Sequence, residues 1–61
     1  MTDILEKTLK QMYDEYLKTG NADWMNISTP IGKQLADLDY VTENPIGEFK
    51  LTKLGIQQMS K

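Results

Sequence analysis

Two strand-like segments, Tyr40-Val41-Thr42-Glu43 and Phe49-Lys50-Leu51, face each other across Asn44-Pro45-Ile46-Gly47, and they restrict what the rest of the chain can do. Proline presets the backbone at the second position of a type I turn. Glycine two residues on accepts the left-handed conformation of a bulge residue, so these four residues predict a tight hairpin. Alternation along the strands places Val41, Phe49 and Leu51 on one face and Thr42 and Lys50 on the other. A two-stranded ribbon is marginal by itself in water, so it must be braced by flanking helices.

The first helix is predicted from about residue 3 to 19. Asp3 can act as its N-cap with Glu6 three residues on, an arrangement in which each side chain satisfies a free amide. Leu5, Leu9, Met12, Tyr13, Tyr16 and Leu17 recur at helical spacing as the apolar face, with Lys7, Lys10, Asp14 and Lys18 away from it. Glu6 with Lys10 and Asp14 with Lys18 stand four apart, acid first, the favourable order for an ion pair on a helix. Gly20 sits where a left-handed C-terminal cap is expected.

Asn21 to Ile27 reads either as a single helical turn capped by Asn21 or as a loop that drops Trp24 and Ile27 into the core. Both readings bury the one tryptophan. Ser28-Thr29-Pro30 then starts a second helix, a hydroxyl capping the free amides and proline losing no hydrogen bond at the first helical position. Ile31, Leu35 and Leu38 form its buried stripe. Thr29, Lys33, Ala36 and Asp37 form the outward face, with Gln34 at its margin. Gly32 inside this helix costs about 1 kcal/mol relative to alanine, which implies close approach by a neighbouring segment. Thr52 caps a last helix that buries Ile56 and Met59, with Gly55 allowing tight backbone packing. The expected class is therefore α+β, mainly helical.

Sixty-one residues without internal repeat or linker make one domain, residues 1–61. A core of that size supplies on the order of 3–5 kcal/mol. The chain has no cysteine and no histidine. Disulfides, thiolate metal sites, the commonest general base and the usual nucleophile pairs are thus ruled out, and neither an enzyme nor a cofactor is expected. Asp37 and Asp39 are two apart and would point to different sides of a helix. With Glu43 they lack the glycine and alternating oxygens of a calcium loop. The methionines at 1, 12, 25 and 59 read as an initiator and core filler. No apolar run reaches the roughly 20 residues that span a bilayer, and the amino end is acidic where a signal peptide is basic. A cytoplasmic location is expected.

The order helix, short segment, helix, two-stranded hairpin, helix resembles a reduced winged helix-turn-helix domain. Ser28-Thr29-Pro30-Ile31-Gly32-Lys33-Gln34-Leu35 resembles the start of a recognition helix. Leu38-Asp39-Tyr40-Val41 resembles the turn into the first wing strand, and Gly47-Glu48-Phe49-Lys50-Leu51-Thr52-Lys53-Leu54-Gly55 the second wing strand and final helix start. The likeness covers about residues 28 to 59 and departs from the family pattern in two places. Gly20 to Ser28 is too short for the ordinary first strand plus a full second helix, and Glu43 and Glu48 stand where DNA-binding relatives commonly carry basic residues.

The resemblance implies double-stranded DNA as partner. Ser28, Thr29, Lys33 and Gln34 would lie near base edges and phosphates in the major groove, Lys50 and Lys53 on flanking phosphates, and Asn44 at the wing tip near the minor groove. Each also has a plain structural reading: Ser28 and Thr29 as caps, the others as solvated surface. Seven lysines, no arginine and nine carboxylates give a net charge of −2, so any phosphate-binding face must be locally basic. Asp37, sharing a face with Lys33, opposes phosphate within a Debye length of about 8 Å. A homodimer, with Ile4 and Ile46 as apolar contacts, would double the basic contacts.

The same composition supports a second reading, an acidic adaptor or inhibitor that docks on a basic surface of a cytoplasmic protein. Asp14, Glu15, Asp37, Asp39, Glu43 and Glu48 are its candidate surface.

Overall fold

The computed structural model describes residues 3–61. Three helices, α1 (Asp3–Thr19), α2 (Thr29–Asp37) and α3 (Lys53–Met59), brace an antiparallel hairpin of β1 (Val41–Glu43) and β2 (Phe49–Leu51). The class is α+β and mainly helical, in the order that the sequence predicts. Val41 pairs with Leu51, Thr42 with Lys50, and Glu43 with Phe49. This register puts Val41, Phe49 and Leu51 on the buried face. There they meet Leu5, Leu9 and Met12 from α1 and Leu35 from α2, forming one cluster.

The turn closes as its residues dictate. Gly47 has φ +88 and donates its N–H to the Asn44 carbonyl at 3.0 Å. Gly32 explains its place inside α2: a Cβ there would fall onto the ring of Phe49, which is fully buried. Thr52 caps α3 by accepting the Gly55 N–H at 3.1 Å. Ile56 and Met59 pack half-buried against the core, as do Met25, Tyr13 and Tyr16. Gly20 N–H reaches the Tyr16 carbonyl at 2.8 Å and ends α1.

Several expectations are corrected. α1 is described from Asp3 onward, so the expected Asp3 cap falls at the boundary of the described residues, outside which Met1 and Thr2 lie. Lys10 pairs with Asp14 at 3.3 Å in place of the two acid-first pairs; both partners are well exposed, and such a pair contributes little. Leu17 is 61% exposed because it lies on the Tyr13 edge of the apolar stripe, where no other element covers it.

Ser28 holds the N-cap position of α2, but its hydroxyl makes no capping hydrogen bond. Pro30 is the second helical residue, after Thr29. Ala36 is half-buried instead of outward, since α2 is packed between α1 and β1 and so buries a wide arc. Leu38 is 44% exposed because α2 ends there. Asp39 turns left-handed at φ +64, with Asp39 N–H on the Ala36 carbonyl (2.9 Å) and Tyr40 N–H on that of Leu35 (3.0 Å). That pair of bonds is a Schellman termination, and it carries Leu38 off the buried stripe.

Residues 21–27 follow the loop reading and not the helical turn, with one bridge at Met25; Ile27 packs half-buried against the core as that reading expects, but Trp24 is not buried. Met25 bridges Phe49 antiparallel, donating to its carbonyl at 2.7 Å and accepting its N–H at 2.9 Å. β2 is therefore bonded on one side to β1 and on the other, through this single isolated bridge, to Met25. With Met25 and Ile27 turned inward, period-two alternation turns Trp24 outward, and it is 40% exposed.

Candidate functional site

Ser28, Thr29, Lys33 and Gln34 are exposed on the first turns of α2, so four of the seven residues expected at a DNA interface do lie together. The other three diverge. Glu43 has the same strand parity as Val41 and sits on the α2 side of the ribbon, where its Oε1 accepts from Lys33 Nζ at 2.6 Å. Lys50 has the opposite parity. The register that aligns Met25 with Phe49 sets Trp24 beside Lys50 on the outer face, and Lys50 Nζ lies 4.6 Å from the Trp24 ring centroid. Lys33, held by Glu43, and Lys50 thus lie on opposite sides of the ribbon.

Asn44 is used inside the turn. Its Oδ1 accepts from the N–H of Glu48 (2.8 Å) and of Ile46 (3.2 Å), while Nδ2 donates to Glu48 Oε1 (3.0 Å). Lys53, the first residue of α3, is exposed and forms no ion pair among the described residues. Ile4 and Ile46 are both exposed, one on α1 and one at the hairpin turn.

A second feature lies where the second half of α1 meets residues 21–25. A cleft of about 220 Å³ has an apolar floor of Met12, Met25 and Leu51, with Glu15, Asp23 and Trp24 also lining it. The chain is held to this path by Thr19. Its hydroxyl lies 3.0 Å from the Glu15 carbonyl and 2.9 Å from that of Asn21, and it accepts the Asn21 N–H at 3.3 Å. Glu15 and Asp23 form no ion pair among the described residues.

Sequence reasoning named Glu15 as one acidic residue among several and missed Asp23 and the cleft altogether. The one local signal was Met25 and Ile27 standing two apart around the polar Asn26, a spacing that puts both on one face of a strand. The described residues contain no group of three side chains able to hold a metal ion. No helix among them is long and apolar enough to cross a membrane. Comparison with known protein families, characterised proteins and solved structures found none that matches this chain.

Proposed function

We infer that this is a small cytoplasmic regulatory module of reduced winged-helix type, binding rather than catalytic, that docks on a basic surface of another protein. The observation that carries this reading is where its lysines go. Of the three lysines expected on DNA, Lys33 is held by Glu43 at 2.6 Å and Lys50 by Trp24, leaving Lys53 without an ion pair, whereas the carboxylates of Glu15 and Asp23 have no cationic partner among the described residues. A phosphate-binding face would need the lysines free and convergent, because neutralised phosphates supply most non-specific affinity. An acidic surface on a chain of net charge −2 instead attracts basic partners and speeds their encounter.

Duplex DNA is the second reading, and one observation favours it. Ser28, Thr29 and Gln34 are exposed at the start of α2, and Ser28 is not spent on capping. Binding DNA there would require Lys33 to leave Glu43.

Titration of labelled duplex at low and moderate salt separates the two readings. Protein docking predicts no saturable duplex binding even at low salt, together with capture of a partner from extract that survives nuclease treatment. Saturable duplex binding that Lys33→Glu and Gln34→Ala abolish would replace this reading with the DNA one.

A further inference from the structure

The cleft beside Trp24 gives the docking reading a chemistry. Its floor of Met12, Met25 and Leu51 is apolar, the half-exposed Trp24 is among its lining residues at the rim, and Glu15 and Asp23 contribute carboxylates without cationic partners among the described residues. At about 220 Å³ it falls below the roughly 300–1,000 Å³ of pockets that enclose drug-sized ligands, a size suited to one side chain. The indole already attracts a cation, since Lys50 sits over it at 4.6 Å without being among the residues that line the cleft.

A ligand matching all of this has an apolar stem, a flat cationic head that stacks on an indole, and several N–H donors for carboxylates. Arginine has these properties; lysine lacks the planar fork. The neighbouring backbone suits an extended partner. The bridge at Met25 directs that residue's N–H and C=O toward Phe49, so those of Trp24 and Asn26 point away from β2. Neither residue makes a backbone hydrogen bond among the described residues. Residues 24–26 are thus an open sheet edge alongside the cleft, the kind of edge to which an extended segment adds as a strand.

We propose that this cleft receives an arginine side chain from an extended basic segment of the partner protein, an inference that rests on the docking reading above. Glu15 and Asp23 pair with the guanidinium, Trp24 stacks on it, and the arginine stem covers Met12 and Met25.

The test uses the full chain and a blocked peptide, threonine-valine-arginine-valine-threonine, with a second peptide carrying citrulline in place of arginine. Trp24 is the single tryptophan, so its fluorescence reports the cleft directly. The expected result is a saturable change, with amide shifts confined to the cleft-lining residues and the adjoining edge at residues 24–26. The neutral citrulline peptide, having lost the charge-assisted contacts, should bind at least about tenfold more weakly. Glu15→Gln and Asp23→Asn, both at exposed positions, should each weaken the arginine peptide severalfold while leaving the circular dichroism unchanged.

Absence of a saturable change at millimolar peptide, equal binding of the citrulline peptide, or indifference to both substitutions would each overturn the arginine site. Nuclease-resistant capture of a partner that is indifferent to Asp23→Asn would also overturn it, while leaving protein docking intact. Duplex binding in the absence of any captured partner would remove the docking reading itself.

Discussion

Lys33 Nζ and Glu43 Oε1 lie 2.6 Å apart, joining the exposed side of α2 to the last residue of β1. The Lys33 side chain is 60% exposed and that of Glu43 27%, so water and salt screen much of the attraction. Glu43→Gln should lower stability by less than about 1 kcal/mol in a urea titration. The same substitution releases Lys33. If α2 reads DNA, duplex affinity at low salt rises; under the protein-docking reading no duplex binding emerges.

Gly32→Ala should destabilise the protein although alanine is the better helix former by about 1 kcal/mol. The added methyl group would collide with the buried Phe49 ring. Overpacking a core costs about 1–3 kcal/mol, a large part of what so small a domain has. Thermal melts of Gly32→Ala and of Gly32→Ala with Phe49→Leu provide the check. The smaller side chain should recover part of the loss, and a melt of Gly32→Ala at or above the parent's would contradict the close contact.

Asp39→Gly should raise stability by about 0.5–1 kcal/mol, since a side chain at φ +64 is strained and glycine is not. The groups that Asp39 contributes to the Schellman turn and to Thr52 are backbone atoms, which glycine retains. Denaturant midpoints of the two proteins measure the difference.

Asn44→Ala removes two side-chain acceptor contacts to backbone N–H groups and one donor contact to Glu48. A loss of about 1–2 kcal/mol is expected, with faster amide exchange at Ile46 and Glu48. If duplex binding is seen at all, a deficit in this variant would reflect a loosened turn, so amide exchange must be measured beside it.

A neutral collisional quencher should reach Trp24 readily in the native protein, as its 40% exposure requires. Trp24→Phe should therefore cost much less than Phe49→Ala, which empties the centre of the core at about 3–5 kcal/mol and leaves little folded protein. Lys50→Ala should alter the Trp24 emission and cost about 0.5–1 kcal/mol by removing the cation over the ring.

What could be read from the residues was local. The Asn44–Gly47 turn, the Thr52 cap and the Gly20 stop are each decided within a few residues by which backbone angles and hydrogen bonds those side chains allow. The stripe of Leu5, Leu9 and Met12 was legible because helical period is intrinsic to the chain. Even Gly32 announced a close neighbour, though not that the neighbour was Phe49.

The rest depended on segments distant in sequence coming together. Leu17, Leu38 and Trp24 look like core in any window of sequence, and they are exposed because no element lies over them. The pairing of Lys33 with Glu43, the place of Lys50 over Trp24 and the cleft between α1 and residues 21–25 all follow from one antiparallel bridge and one packing arrangement. Periodicity told which residues share a face of an element. Which faces are covered, and which charges then meet, was settled when Met25 paired with Phe49 and α2 packed between α1 and β1, because burial and ion pairing belong to the assembled surface and not to any one stretch of chain.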